Sequence, residues 1–531
     1  MENTNREGFG SNFGFIMAAV GSAVGLGNIW GFPYKMGLNG GFAFLLIYLV
    51  LAAFVGLAVM VGELAIGRST GMSPIAAYRK ISKKFTWLGY MAVLCPFLIL
   101  CFYMVLGGMV MRYACSYLLA MFGVDIWGVE DISKFFGTFL LDGTQMIIWT
   151  VVFIAINTII VCGGIGGGIE KFCNIGMPCL FVMLIVIIVY VAVQPGAMGG
   201  YEFMFGFNID PLKNDFIGVL KTAAGQMFFS LSLGMGAIIT YGSYLSKKES
   251  IQKNAVIVVV MDTLVAIMAG MIVMPACYAF LDGNTTGGPG LLFASMQMVF
   301  HNMGGFIGNL MGFLFYFLVF IAAISSSMSL LEAITATKID SDIAKGKAPK
   351  RRITALVFSI IILIFCIPTA LDGIGMGNTG GAVLPTPAEL FGTAFAEAEG
   401  IEGFEEGTTY YTLGEDGAYA AVEEGTAFDK STTYYVNAAK GWNDCWLDFY
   451  DMLSEGIIMP LGAMIMAFAI GWLWMPSWSN GGKCHNLLTE ELGASGHKMW
   501  GKAFFEVCYK FITPIGMIIV LYGQITSFFG I

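Results

Sequence analysis

Three features of this chain could do chemistry in an apolar setting. The first is a pair of glycine-broken stretches, GSAVGLGNIWGFP from Gly21 to Pro33 and SLSLGMGA from Ser230 to Ala237. Gly25 and Gly27 in one match Gly234 and Gly236 in the other as G-x-G pairs. A glycine inside a helix costs roughly 1 kcal/mol relative to alanine, so several at one depth favour unwound backbone. Unwound backbone in lipid must be buried in protein or line a wet cavity. Half-helices expose N–H groups at one end, which suit a carboxylate, and C=O groups at the other, which suit a small cation. Close packing of helices is the competing use of membrane glycines; two matched breaks five spans apart weigh against it. The second feature is the serine run in ISSSMSLLEA, at Ser325, Ser326 and Ser327. Hydroxyls there supply the oxygen ligands a hard cation takes, although serines in membrane helices also bond their own backbone. The third is Asp262, a carboxylate inside an apolar stretch, where charge is costly and functional by default.

These residues need a scaffold, and composition indicates which. Of 531 residues, 57% are hydrophobic and 12% charged, about half the ~25% charge of an average soluble domain. That excludes a soluble enzyme, a nucleic-acid binder and a disordered scaffold. With roughly 20 residues needed per crossing, eleven spans are expected near 13–36, 41–67, 89–119, 143–163, 173–194, 216–243, 255–281, 307–337, 353–371, 452–475 and 503–528. No cleavable leader is expected after Met1. With the N-terminus inside, nineteen of the 27 Lys and Arg fall on inside segments and only Lys134, Lys213, Lys430 and Lys440 outside. That bias predicts a cytoplasmic N-terminus and, with an odd span count, an extracellular C-terminus.

The net charge of −9 belongs to one loop. Residues 385–446 hold twelve acids against Lys430 and Lys440, a net of −10 that leaves about +1 elsewhere. TTYYTL and STTYYV within it predict short strands in a solvated insert. The eleven cysteines are scattered, as small buried thiols are. GMGNTG (Gly375 to Gly380) has the spacing of a dinucleotide loop but lacks a strand before it and a helix after it. GGIGGGIEK (Gly163 to Lys171) predicts a turn between the fourth and fifth spans.

AVGLGNIW with FPY, NGGFAF, GELAIGR, GQMFFSLSLGMGAIITYGSY and ISSSMSLLEA together make the chain resemble the neurotransmitter:sodium symporters across nearly every span. Paired broken helices are known from that same fold, so the glycine breaks and the resemblance count once. The resemblance implies an all-α polytopic membrane protein of the leucine-transporter type, with eleven helices, an inverted repeat of five plus five, and broken first and sixth helices. Its divisions would be 1–371 for helices one to nine (repeat one about 13–194, repeat two from about 216), 372–446 for the insert, and 447–531 for helices ten and eleven.

By the same resemblance, two sodium ions would be held. One site would use the Gly21, Val24 and Ala322 carbonyls with Ser325 and Ser326; the other, the Ala23 carbonyl with Asn28, Ser230 and Asp262. Asp262 departs from the family's usual Asn, and Ala266 stands where chloride-dependent relatives have a serine. Asp262, with Tyr48 and Gln226, would then replace chloride. The solute pocket would comprise Ser22, Ala23, Gly25, Ile99, Tyr103, Phe229, Ser232, Met235, Ser326 and Leu330. Gly25, where monoamine carriers place Asp, leaves room for a carboxylate, and the apolar lining points to a neutral hydrophobic or aromatic L-amino acid. Arg6 with Asp340, near Tyr244, would close the inside. Asp448 would serve outside, where Gly31 replaces the usual Arg and Lys35 is a candidate substitute. Gly168-x9-Pro178 resembles a motif that lets the fifth helix unwind. The function implied is sodium-coupled, chloride-independent amino-acid import through a plasma membrane, with no nucleic-acid partner and no enzymatic role. A proton-coupled carrier of the same fold and a non-transporting amino-acid sensor are the alternatives.

Overall fold

The computed structural model describes residues 8–529, except 125, 284–287, 375–383, 392–394, 399–402, 405–409, 415–418, 423–425, 430–431, 438–442, 475–486, 494–495 and 497–498. Among the described residues, nine helices are long and apolar enough to cross a membrane. They are Phe42–Thr70, Lys83–Met121, Gly143–Cys162, Ile165–Ala192, Ile251–Phe280, Gly305–Ala344, Arg351–Leu371, Trp446–Trp474 and Lys502–Thr526. A tenth crossing is the pair Asn12–Ala23 and Gly27–Leu38, bent by 51°. Where the sixth span is expected, Phe216–Ser230 is followed, after six residues, by Ala237–Gly242. The chain is an all-helical polytopic membrane protein apart from its insert.

Neither break has space for a side chain at its paired glycines, a Cβ on Gly234 or Gly236 standing 2.7 or 2.6 Å from the Met459 or Ala92 carbonyl oxygen, and the sixth span adds a demand on backbone angle. In the sixth span Gly234 and Gly236 have φ of 79° and 73°, left-handed backbone that glycine alone adopts freely. In the first span a side chain would find no space. A Cβ on Gly25 would stand 2.7 Å from the Tyr103 hydroxyl, and one on Gly27 would stand 2.6 Å from the Phe229 ring. The broken pieces lie at the centre of the bundle, enclosed by the third and eighth helices.

The insert between Arg351–Leu371 and Trp446–Trp474 departs from all-α. It carries a four-stranded antiparallel sheet of Phe395–Glu397, Tyr410–Leu413, Tyr419–Ala421 and Tyr435–Asn437, in spatial order first, fourth, second, third. Two strands fall on the Tyr-rich stretches expected to form them. The insert is tied down at its base, where Asp372 accepts from the Trp446 amide (2.6 Å) and Ala388 donates to the Asn443 carbonyl (2.9 Å).

Gly163 to Lys171 is less of a turn than expected. Only Gly164 turns left-handed (φ 83°), and Ile165–Glu170 already coils as a wide π-type turn that continues into the fifth helix. Pro178 sits inside that helix rather than at its start.

Candidate functional site

A small cavity lies between the two breaks, lined by Ala23, Gly25, Gly27, Ile99, Tyr103, Phe229, Ser232, Met235, Ser326 and Leu330. Nine of the ten residues expected of a solute pocket are in this lining. The tenth, Ser22, turns its hydroxyl away to Ser329 (2.7 Å) and contributes its carbonyl, which accepts from Ser232 (2.7 Å) and Ser326 (3.1 Å). Gly27 was not expected in the lining.

The unwound backbone finds partners from several helices. The Leu26 amide donates to the Tyr103 hydroxyl oxygen (2.9 Å), which leaves the tyrosine proton free to be donated elsewhere. The Gly25 amide donates to Asn28 Oδ1 (3.0 Å), the Gly27 carbonyl accepts from Gln226 (2.7 Å), and the Gly234 amide donates to Glu63 (2.7 Å). Glu63 of the GELAIGR motif is a functional residue the sequence reading missed, and a carboxylate in the middle of a span is the signal that marks it. Both breaks are thus held open by side chains placed where regular helical bonds are missing.

Beside the cavity is a polar cluster around Asp262, which is fully buried. Its Oδ1 accepts from Asn28 Nδ2 (2.7 Å), and its Oδ2 accepts from Ser230 (2.9 Å) and Tyr48 (3.5 Å). Asn28 also donates to Ser230 (2.8 Å). Four of the six residues expected around an ion or its anionic substitute therefore converge, and a fifth, Ala23, lines the neighbouring cavity. Gln226 does not join them. Its amide nitrogen goes to Gly27, and its Oε1 is buried without a hydrogen bond, near where a Cβ on Gly31 would lie (2.9 Å).

On the opposite flank the eighth helix presses Ser325 against the first. A Cβ on Gly21 would lie 3.0 Å from Ser325 Cβ and 3.0 Å from Cys173 Sγ. Ser325 donates to the Ala322 carbonyl (3.0 Å), a bond within its own helix, whereas Ser326 reaches across to Ser22. Val24 caps the inner half of the first helix at the same level. These oxygens form a hard donor set suited to an alkali cation.

The outer gate differs from expectation in its partner. Arg6 lies outside the described residues. Asp340 accepts from the Ser73 amide (2.6 Å), while Tyr244 donates to Glu332 (2.7 Å), which Arg351 also engages. Phe9 packs edge-on against Phe15, Tyr241 and Tyr244. At the expected outer gate, Lys35 does not reach Asp448. It pairs with Glu455 (2.8 Å), and Asp448 accepts from the Cys445 thiol one turn away (3.2 Å). Glu455 lies in the wide turn Met452–Ile458, whose extra residue per turn swings it to the face that Lys35 meets.

A model of the sodium:neurotransmitter symporter family matches residues 6–133 and 134–391. The chain is 34% identical over 368 residues to the uncharacterized sodium-dependent transporter YhdH of Bacillus subtilis, covering 68% of this chain and 78% of the relative. It is 34% identical over 385 residues to an uncharacterized sodium-dependent transporter of Haemophilus influenzae, covering 70% and 81%. Among solved structures it superposes on MhsT in complex with L-phenylalanine, with a TM-score of 0.73 and 32% identity over 98% of this chain and 100% of that one.

Proposed function

Because this chain belongs to the sodium:neurotransmitter symporter family, a family of transporters rather than enzymes, we propose that it imports a neutral, hydrophobic or aromatic L-amino acid by sodium-coupled alternating access. The observation that carries this reading is the cavity between the two breaks. Ile99, Phe229, Met235 and Leu330 supply its apolar side, while Gly25, Tyr103 and Ser326 leave a polar end open at the unwound backbone. A solute carboxylate is assigned to that end, with the Tyr103 proton as a donor. The phenylalanine bound by MhsT supports the same solute class.

Two sodium ions fit the two oxygen-rich flanks. Gly21, Val24, Ala322, Ser325 and Ser326 would hold one. Ala23, Asn28, Ser230 and Asp262 would hold the other, with the solute carboxylate completing its shell. Each ion entering down 100 mV contributes roughly 2.3 kcal/mol, so two suffice for an accumulation of about a thousandfold. Asp262 supplies the negative charge that chloride provides in chloride-dependent relatives, and takes a proton when the empty carrier returns. The N-terminus lies in the cytoplasm and the C-terminus outside, as the Lys and Arg bias supports.

The test is thermal stabilisation of the purified protein by each of the twenty amino acids, with sodium and with choline. Stabilisation by aromatic and branched solutes in sodium alone is expected. Equal stabilisation in choline would favour the proton-coupled alternative, and binding without counterflow in proteoliposomes would favour a sensor.

A further inference from the structure

A second, larger cavity opens at the cytoplasmic end of the bundle, where no role has yet been assigned. It encloses about 710 Å³ between the short helix Pro74–Ile81, the start of the third helix, and the ends of the eighth and ninth. Its floor is apolar, built from Ile75, Val93, Ile334 and Phe358. Its rim is cationic: Arg79 and Lys80 from the short helix face Lys338 and Lys345 from the end of the eighth. Lys338 is paired with Asp342, and Lys80 donates to the Thr70 carbonyl (2.9 Å). Among the described residues no ion pair engages Arg79, Lys80 or Lys345. The acid in the lining, Asp340, is turned to the Ser73 amide.

From this geometry we propose that the cavity binds an anionic phospholipid of the cytoplasmic leaflet, phosphate on the rim and an acyl chain on the floor. Charge complementarity selects the headgroup, since basic pockets between membrane helices on the cytoplasmic side suit anionic lipid. Depth selects a lipid over a soluble anion. Exposed Tyr90 lines the cavity and accepts from Arg79 (3.4 Å), with exposed Trp87 three residues before it on the same helix, the pairing of aromatic rings with the headgroup layer. Two other outward grooves differ. The one at Leu49, Val260 and Leu264 carries no charged residue, and the one at Ile159 and Phe320 carries only Lys171.

The site also has a mechanical consequence. Its two cationic walls are the elements that Ser73 and Asp340 join, so a phosphate bridging them braces the inside face closed. This reading does not depend on the solute or its driving ion.

The experiment measures the thermal midpoint of the purified protein with phosphatidylglycerol, phosphatidylcholine or glycerol phosphate added. Phosphatidylglycerol is expected to raise the midpoint by several degrees, less at high salt, and the other two to leave it unchanged. The rise should vanish in the double variant Arg79→Gln, Lys345→Gln and persist in Lys171→Gln. Equal stabilisation by phosphatidylcholine, retention of the effect in the double variant, or reproduction by glycerol phosphate would overturn the proposal. Should the double variant fold poorly, Phe358→Trp fluorescence in the otherwise intact chain decides. Brominated phosphatidylglycerol must quench it more strongly than brominated phosphatidylcholine, and equal quenching refutes the site.

Discussion

The hydroxyl of Ser232 donates to the carbonyl of Ser22 across 2.7 Å, and that bond staples the break of the sixth helix to the break of the first. Ser232 makes it from left-handed backbone, φ 53°, a conformation costly for a residue with a Cβ. The two halves of the cavity therefore move together while the staple holds.

Ser232→Ala keeps the strained backbone and loses the staple, whereas Ser232→Gly loses the staple and relieves the strain. The Ser22 carbonyl retains Ser326, so no buried acceptor is orphaned. Solute affinity in sodium should fall about fivefold in the alanine variant, the worth of one hydrogen bond of ~1 kcal/mol. The glycine variant should be the more stable of the two. Isothermal titration with the stabilising amino acid checks the first outcome, and the thermal midpoint checks the second.

Gly25→Ala places a methyl group 2.7 Å from the Tyr103 hydroxyl and 3.0 Å from Ser326 Oγ, at the end of the cavity assigned to the carboxylate. Solute binding should weaken by about tenfold or more, in line with the 1–3 kcal/mol that overpacking costs. Gly27→Ala meets the Phe229 ring instead and should disturb large aromatic solutes more than small aliphatic ones. Competition binding across a solute series measures both; an unchanged affinity in Gly25→Ala would remove the carboxylate from that end.

Both breaks were legible because glycine clusters leave a mark in an apolar stretch, and the pocket residues followed from the matched motifs. What sequence could not show was why each glycine is needed. Gly234 and Gly236 answer to backbone angle and to the closeness of the Met459 and Ala92 carbonyls, Gly25 and Gly27 to the closeness of Tyr103 and Phe229. The partner of Lys35 was not legible for a geometric reason. The resemblance pointed to Asp448, and nothing in it announces the wide turn Met452–Ile458, in which Glu455 meets Lys35. Glu63 was readable as an intramembrane carboxylate, but its partner, the Gly234 amide, exists only once the sixth helix has unwound. Ser325 followed the ordinary habit of membrane serines and bonded its own helix, a bond that uses its proton and leaves its oxygen lone pairs as acceptors.

Lys35 and Glu455 tie the outer half of the first helix to the tenth, with side chains 25% and 8% exposed. Glu455→Gln takes the paired charge from the lysine in a poorly solvated place and leaves it Asp451 as the remaining nearby acid. The loss should be about 1–3 kcal/mol, below that of a fully buried pair because water reaches the lysine. Lys35→Met should cost a similar amount, and the double variant less than the sum. Thermal midpoints of the four proteins complete the cycle; strict additivity would show that the pair contributes nothing.

At the foot of the insert, burial pushes the Asp372 carboxyl up to about 7, with Asp448 and Asp444 adding to the effect and the Trp446 and Ile374 amides opposing it. The folded chain then holds a proton there between its ordinary value of 3.8 and about 7, where the unfolded chain has released it. Stability linked to this group is complete below that window and declines as pH rises through it. The fall in thermal midpoint from pH 5 to pH 8 should be shallower in Asp372→Asn than in the wild type. Identical slopes would mean that the insert's anchor does not titrate there.

Asp262 decides the ion chemistry, because its two oxygens serve different donors. Oδ1 takes Asn28, and Oδ2 takes Ser230 and Tyr48. An amide in its place can still accept from Asn28, but its NH2 group then points at Ser230, whose oxygen already receives Asn28 and Tyr48. Three donors crowd one hydroxyl and the negative charge is gone, so the cluster loses both its hydrogen-bond order and its attraction for a cation. Wild-type uptake should be the same in chloride and in gluconate. In Asp262→Asn, uptake in gluconate should drop at least about tenfold, the equivalent of ~1.4 kcal/mol, and chloride should restore part of it by supplying the missing charge. Wild-type uptake that collapses when gluconate replaces chloride would mean that this carboxylate does not stand in for the anion.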